Sequence, residues 1–409
     1  MATIIQPELE SRDSVEQAPL RADVDQCSLD SPRSSRAPTA LRVLRHVGSA
    51  AEWLFGALTL VVALSVLATL PVLQFLSLGY LLEVGGRVVR EGSVARGFVG
   101  VRKAARVGGL IAGAWLVVLP LRFVSLMVES ARLIAPGSPA DRGWTLALWI
   151  LAPLAVFHIA GALLRGGRLR HFLWPRPICV WRRLRAPGAY ATARDAVWDY
   201  TLGLRLPYYF WLGLRGFAGG LAWLAIPVSL LAAGQKAPVL GAIGALLLTA
   251  VVMYLPFAQV QLAARGRLLA VFDLRGVREH FRHAPWAFLL ALACSLAFAL
   301  PLYLLKIEIL PREAAWLPSL LFVSFALPAR LLAGWAYARG DSRCQLNAIC
   351  ETPLAPRHWF WRHSARLAML PTAALYVLVV YFTQFTSWHG VASLYEQHAF
   401  LLPAPFVGL

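Results

Sequence analysis

The feature that most restricts this chain is the recurrence of long apolar runs without charge. Residues 53–82 form a stretch of 30 with no Asp, Glu, Lys or Arg. A helix in water needs a polar face, whereas a helix that is apolar all round needs an apolar solvent. Comparable runs, three of them holding a single arginine (Arg122, Arg215 and Arg330), recur at 107–128, 144–164, 206–233, 237–264, 284–305, 314–338 and 367–388. At 1.5 Å per residue each is long enough to cross a hydrocarbon layer about 30 Å thick. The expected fold is all-α: a polytopic transmembrane helix bundle of about eight spans in four hairpins. Several helices should be kinked by proline, at Pro71, Pro153, Pro256 and Pro328. Only 15% of the residues are charged, against about 25% in soluble domains.

Three regions follow. Residues 1–45 mix acids with Ser, Pro and Arg, without periodicity, and read as a disordered polar tail. They lack the basic start and immediate apolar core of a signal peptide. Residues 46–395 form the transmembrane domain, and 396–409 a short apolar tail.

The net charge is +18, and its placement excludes nucleic acid as the expected partner. The basic residues lie between apolar runs, where they fix orientation instead of forming one phosphate-binding stripe. The links after runs one, three, five and seven hold 6, 9, 5 and 5 Lys/Arg; those after two, four and six hold 3, 1 and 2. The asymmetry of 25 against 6 puts the first set in the cytoplasm, with the cytoplasmic membrane as location. The unit is then a hairpin closed by a basic cytoplasmic link. The segment after run one, from Gly86 to about Gly109, reads as such a link with an interfacial helix. One conflict remains. Eight crossings put the N-terminus outside, yet Arg33, Arg36, Arg42 and Arg45 argue for inside. A break at Pro71, with re-entry before crossing, removes the conflict and is the preferred reading.

The bilayer is the first expected partner. Anionic lipids or a cytoplasmic protein are further candidates at the basic face, with Arg168, Arg170, Arg182 and Arg183 as the anionic-headgroup contacts. Within or beside the spans, the polar candidates are Gln74, Arg122, Glu129, His158, Arg215, Gln259 and Arg330. Arg122, Glu129, Arg215 and Arg330 are also placed to snorkel, and His158 suits a hydrogen-bonded structural role. Gln259 and Gln261, like Gln74, suit a polar path or a bridge between helices. Small-xxx-small spacings at Gly109/Gly113 and Gly216/Gly220 suit close helix approach. Leu-Pro with Gln three residues after the proline occurs at Gln74 and again at Gln259, as in a tandem duplication.

No cofactor and no metal are expected. Five scattered cysteines suggest no disulfide framework. Cys344, Cys350, His358 and His363 lack the paired-cysteine spacing of zinc sites. No P-loop, GxSxG, HExxH or dinucleotide fingerprint is present. The run FLSLGYLLEVGGRVVREG, followed by RKAARVGG, resembles uncharacterised bacterial multi-pass membrane proteins of unknown function. That resemblance implies a membrane protein and carries over no catalytic residue. The expected role is a non-enzymatic scaffold or transport-type protein with an arginine-rich cytoplasmic face. The alternative is a membrane-embedded enzyme acting on an anionic lipid-linked substrate, with His158 or His171 as acid–base group.

Overall fold

The computed structural model describes residues 39–174, 182, 185, 188–304, 316–349, 357–386, 390–396 and 400–401. Among them all regular structure is helical. The α-helices are α1 (Thr39–Thr69), α2 (Gln74–Glu91), α3 (Val101–Ile134), α4 (Pro139–Leu164) and α5 (Leu169–Leu173). They continue with α6 (Ala189–Leu202), α7 (Leu206–Ala233), α8 (Pro238–Arg265), α9 (Leu274–His283), α10 (Pro285–Leu304), α11 (Trp316–Ile349), α12 (Arg357–Thr386) and α13 (Ser393–Glu396). Seven helical segments are long and apolar enough to cross a membrane, or eight if α9 and α10 count as one span bent by 114°. The chain is an integral, multi-pass membrane protein, with its apolar helices against the bilayer. It divides into two compact units, one of residues 1–52 with 109–193, the other of 53–108 with 194–409.

Helix ends follow local chemistry. Ser138 caps α4 by accepting from the backbone N–H of Asp141 (3.2 Å), with Pro139 in the first turn. Asp273 caps α9 through the N–H of Gly276 (3.1 Å). Gly92 and Gly266, with φ of 66° and 69°, end α2 and α8 in the left-handed conformation that costs glycine little.

Run one is not a single kinked span. The helix stops at Thr69, and Pro71 lies in a turn over residues 70–73 that includes Val72 at φ 71°. Helix α2 then runs back along α1. Ser77 donates to the Leu64 carbonyl (2.6 Å), while Trp53, midway along α1, meets Phe98, just past α2 (ring centroids 5.2 Å). The break expected at Pro71 is therefore present, and the stretch Val47–Thr69 is by itself long and apolar enough to cross. The reversal brings Trp53 beside the segment 92–100 that follows α2. The interfacial helix expected after run one is also replaced: residues 86–91 complete α2, with Gly86 and Val88 buried, and Val94–Gly97 form a 3-10 turn.

Helix α2 is the hub of the second unit. A Cβ on Gly79 would lie 1.7 Å from the Tyr209 carbonyl oxygen of α7, and one on Gly213 of α7 would lie 1.9 Å from Phe75 O. Gly85 meets Gly334 of α11 backbone to backbone, and Gly86 meets Ala263 of α8. Three glycines thus let three helices approach closely, the packing route open to helices in lipid, where the hydrophobic effect drives no association. Helices α7 and α8, joined by the short turn at 234–237, also pack closely, at Gly234 against Gly241 and Gly244 against Leu231. Helix α11 antiparallels α10, with Ser295 near Ala329 and Phe298 near Phe325. Hairpins therefore pack through their lightly charged turns as well as across basic links. Against the spacing Gly109/Gly113, in the first unit, lie Leu169 and Phe172 of α5.

Candidate functional site

Pairings among the second unit's helices place the start of α7 and the ends of α2, α8 and α11 at one end of that unit. Tyr208 of α7 reaches Glu83 of α2, and Arg90 of α2 reaches the Ala263 carbonyl of α8 (2.9 Å). Gly340 of α11 lies on His280 of α9. The arginine-bearing ends of α2, α8 and α11, with Arg90, Arg265, Arg339 and Arg343, therefore share this end.

Between that end and the middle of the bundle lies a buried polar core. Residues 255–263 of α8 are nine consecutive buried positions, so Gln259 and Gln261 have no aqueous alternative to partners in the protein. Gln259 accepts from Arg330 Nη1 of α11 (2.5 Å) and donates through Nε2 to the Phe400 carbonyl (2.9 Å). Arg330 Nη2 donates to the same carbonyl (3.1 Å). Arg330 is 6% exposed, and among the described residues no carboxylate pairs with it. Its acceptors are an amide and a backbone carbonyl, both neutral. A cavity of about 40 Å³, room for a few waters, adjoins the guanidinium and is otherwise lined mainly by Pro256, Phe298, Phe322, Phe325 and Phe400. Phe400 and Leu401 belong to the segment expected as an apolar tail. They insert into the core, Leu401 against Gly220 and Phe400 against Tyr376 (6.1 Å).

A second cluster lies closer to the basic end. Tyr337 donates to Gln261 (3.1 Å), and Gln261 donates to Asp273 Oδ2 (3.0 Å). Arg265 also donates to that oxygen (2.6 Å). The Arg265 guanidinium, then the Gly276 N–H, hold the Asp273 carboxyl below its ordinary range. His280 stacks on Tyr337 (4.2 Å), with Nδ1 at 2.6 Å from Gly276 O and Nε2 at 3.4 Å from Asp341. Farther along, buried Glu83 pairs with Arg90 and accepts from Tyr208 (2.7 Å). Arg90 and Arg215 cap the last carbonyls of α8, at Ala263 (2.9 Å) and Gly266 (3.0 Å).

The sequence candidates therefore separate. Gln259 and Arg330 meet directly. Gln74 opens α2, half-buried, away from them. It starts a helix where Gln259 sits deep inside one, so the two Leu-Pro segments do not share a local structure. Arg215 is an exposed capping group. Arg122 and Glu129 are exposed on α3. His158 bonds through Nε2 to the Phe172 carbonyl (2.7 Å) and fastens the α4–α5 corner. Arg168 and Arg182 are exposed; Arg183, the side chain of Arg170 and Cys350 lie outside the described residues, as does the side chain of His358. Cys344 meets Glu279 (3.8 Å).

Glu83, Tyr208, Tyr337, Asp273 and Phe400 were not singled out from the sequence. Glu83 had a signal: it is the acid that ends the uncharged run, flanked by Gly79, Gly85 and Gly86. No protein-family model matches the chain, nor does any curated protein or solved structure.

Proposed function

We propose that this is a transport-type membrane protein for an anionic solute, with Arg330 and Gln259 as its binding pair. The observation that carries the reading is the convergence of two side-chain donors, from different helices, on the single oxygen of Phe400. A carboxylate or phosphate oxygen placed there gains charge assistance that a backbone carbonyl lacks. A buried guanidinium with only neutral acceptors is costly to keep, and an ionisable group at such depth marks a substrate path by default. In this reading the segment around Phe400 occupies the site in the closed state. The arginine-rich links face the cytoplasm, and Arg168, Arg170, Arg182 and Arg183 contact anionic headgroups. The common end of the arginine-bearing termini of α2, α8 and α11 supports a single basic face.

The test is the thermal stability of the purified full-length protein in sodium acetate, phosphate and succinate against sodium chloride at equal ionic strength. At least one of these anions is expected to raise the melting temperature of the wild type and of R330K but not of R330Q. Equal melting in all salts, with R330Q indistinguishable from wild type, refutes the reading.

The enzyme alternative draws on one observation, the grouping of His280, Asp341 and Asp273 near one end. It is less favoured because His280 is stacked beneath Tyr337 with both ring nitrogens facing partners, which fastens α9 to α11. Headgroup release from an anionic lipid-linked substrate that is abolished in H280Q, with folding intact, would reverse this ranking.

A further inference from the structure

Helix α9 carries Arg275, Arg278 and Arg282 on its exposed face and buries Gly276, Val277 and Phe281. This amphipathic pattern, on a helix bent by 114° from α10, suits a position along the membrane surface. Beneath it a half-open cleft is lined by Met253, Phe257, Phe288 and Met369, with Arg278 and Arg366 at its rim. Each rim guanidinium lies over an aromatic ring: Arg278 is 5.6 Å from the Tyr254 centroid, and Arg366 is 5.4 Å from that of Phe281. Neither forms an ion pair among the described residues. The neighbouring acid, Glu279, turns instead to Cys344 of α11. Leu367 and Leu370, next to Arg366 on α12, are exposed apolar side chains within the candidate span Trp359–Thr386.

We infer that this cleft is a binding site for one anionic phospholipid, with the phosphate between Arg278 and Arg366 and the start of an acyl chain against the half-buried Met253. Two cations held in place by aromatic rings, above an apolar cleft that opens beside lipid-facing leucines, match an amphiphile with its charge at the interface. A soluble anion uses the arginines and leaves the cleft empty; a zwitterionic lipid fills the cleft without the same charge match. The site is separate from the Arg330 core and does not depend on the function proposed for it.

The experiment titrates purified full-length protein in zwitterionic detergent with phosphatidylglycerol and, in parallel, phosphatidylcholine. Binding is read by native mass spectrometry and by melting temperature. One phosphatidylglycerol is expected to be retained in preference to phosphatidylcholine. The double substitution R278Q/R366Q should weaken its binding about 30-fold, or about fivefold per arginine. R278Q alone provides the fivefold step if the double variant does not fold. M253W, which fills the cleft and leaves both arginines, should weaken binding as well. Wild-type phosphatidylglycerol preference in R278Q/R366Q, or in R278Q alone where the double variant fails to fold, overturns the proposal. Undiminished binding in M253W makes the effect one of surface charge and overturns it too. Equal stabilisation by inorganic phosphate assigns the arginines to a free anion instead.

Discussion

Helices α4 and α8 are both apolar enough to cross a membrane, yet they are used differently. Helix α4 buries Ala155, Gly161 and Ala162 and leaves Leu146, Trp149, Ile150, Leu154 and Val156 exposed. Helix α8 buries an unbroken run from Leu255 to Ala263, two glutamines included. Hydropathy decides which segments leave water. It does not decide which of them meet protein, because lipid tails are as apolar as leucine. That choice falls to glycines that admit a neighbouring backbone and to amides and charges that require a partner. In the first unit the polar groups hold a corner together, as His158 does for Phe172. In the second they join helices distant in sequence.

Substitutions can break this contrast. The largest effect is expected at Gly79, where an added methyl meets the Tyr209 backbone and no flexible side chain can yield. G79A should lose more than about 3 kcal/mol, read as loss of a monodisperse species in detergent. G143A in α4, with nothing within 4 Å of its new methyl, should melt at or slightly above wild type, since alanine favours the helix. Next is E83A, which leaves the Tyr208 hydroxyl and Arg90 Nη2 without their shared acceptor, while Arg90 Nη1 keeps the Ala263 carbonyl. The loss should be about 2 kcal/mol, below that of a fully buried pair because Arg90 is partly exposed. A melting temperature unchanged in E83A would remove α2 as a polar hub.

D273A should cost about 1 kcal/mol near neutral pH through the lost α9 cap. The folded-state pKa of Asp273 is lowered, so its stabilisation is present above the ordinary carboxylate range and fades as pH falls through the folded value. The difference between wild type and D273A should accordingly shrink in acid, and a difference independent of pH contradicts the assignment. The smallest effect is expected at the lipid-exposed face of α4, where L146A should change stability by less than about 0.5 kcal/mol. A larger loss would mean that this face has a protein neighbour.

Much of this architecture was legible in the sequence, for physical reasons. Uncharged runs have to be helices in lipid, and the arginine-bearing ends of α2, α8 and α11 do gather at one end. Gln259 and Arg330 stood out because polar groups inside apolar runs are rare. Their pairing was not legible, since they are 71 residues apart and nothing local links α8 to α11. The break at Pro71 was legible from the overlong run and the arginines before it; the role of α2 as hub was not, because it rests on the packing of Gly79, Gly85 and Gly86 against helices distant in sequence. Phe400 contributes a backbone oxygen, which every residue has, so its identity carries no signal.

The centrality of α2 has a consequence for how the protein is made. Gly85 emerges from the ribosome 249 residues before its partner Gly334 (334 − 85). At about 5–20 residues per second, that separation is roughly 12–50 s. During that interval α2, with Glu83, Arg87 and Arg90, has been synthesised but lacks the α7, α8 and α11 surfaces that bury it. It has to be sheltered, by the insertion machinery or at the headgroup layer, until the last of them arrives. Chains truncated before α11 should therefore be exposed to membrane quality-control proteases, and pulse-chase of such truncations measures how long that shelter lasts.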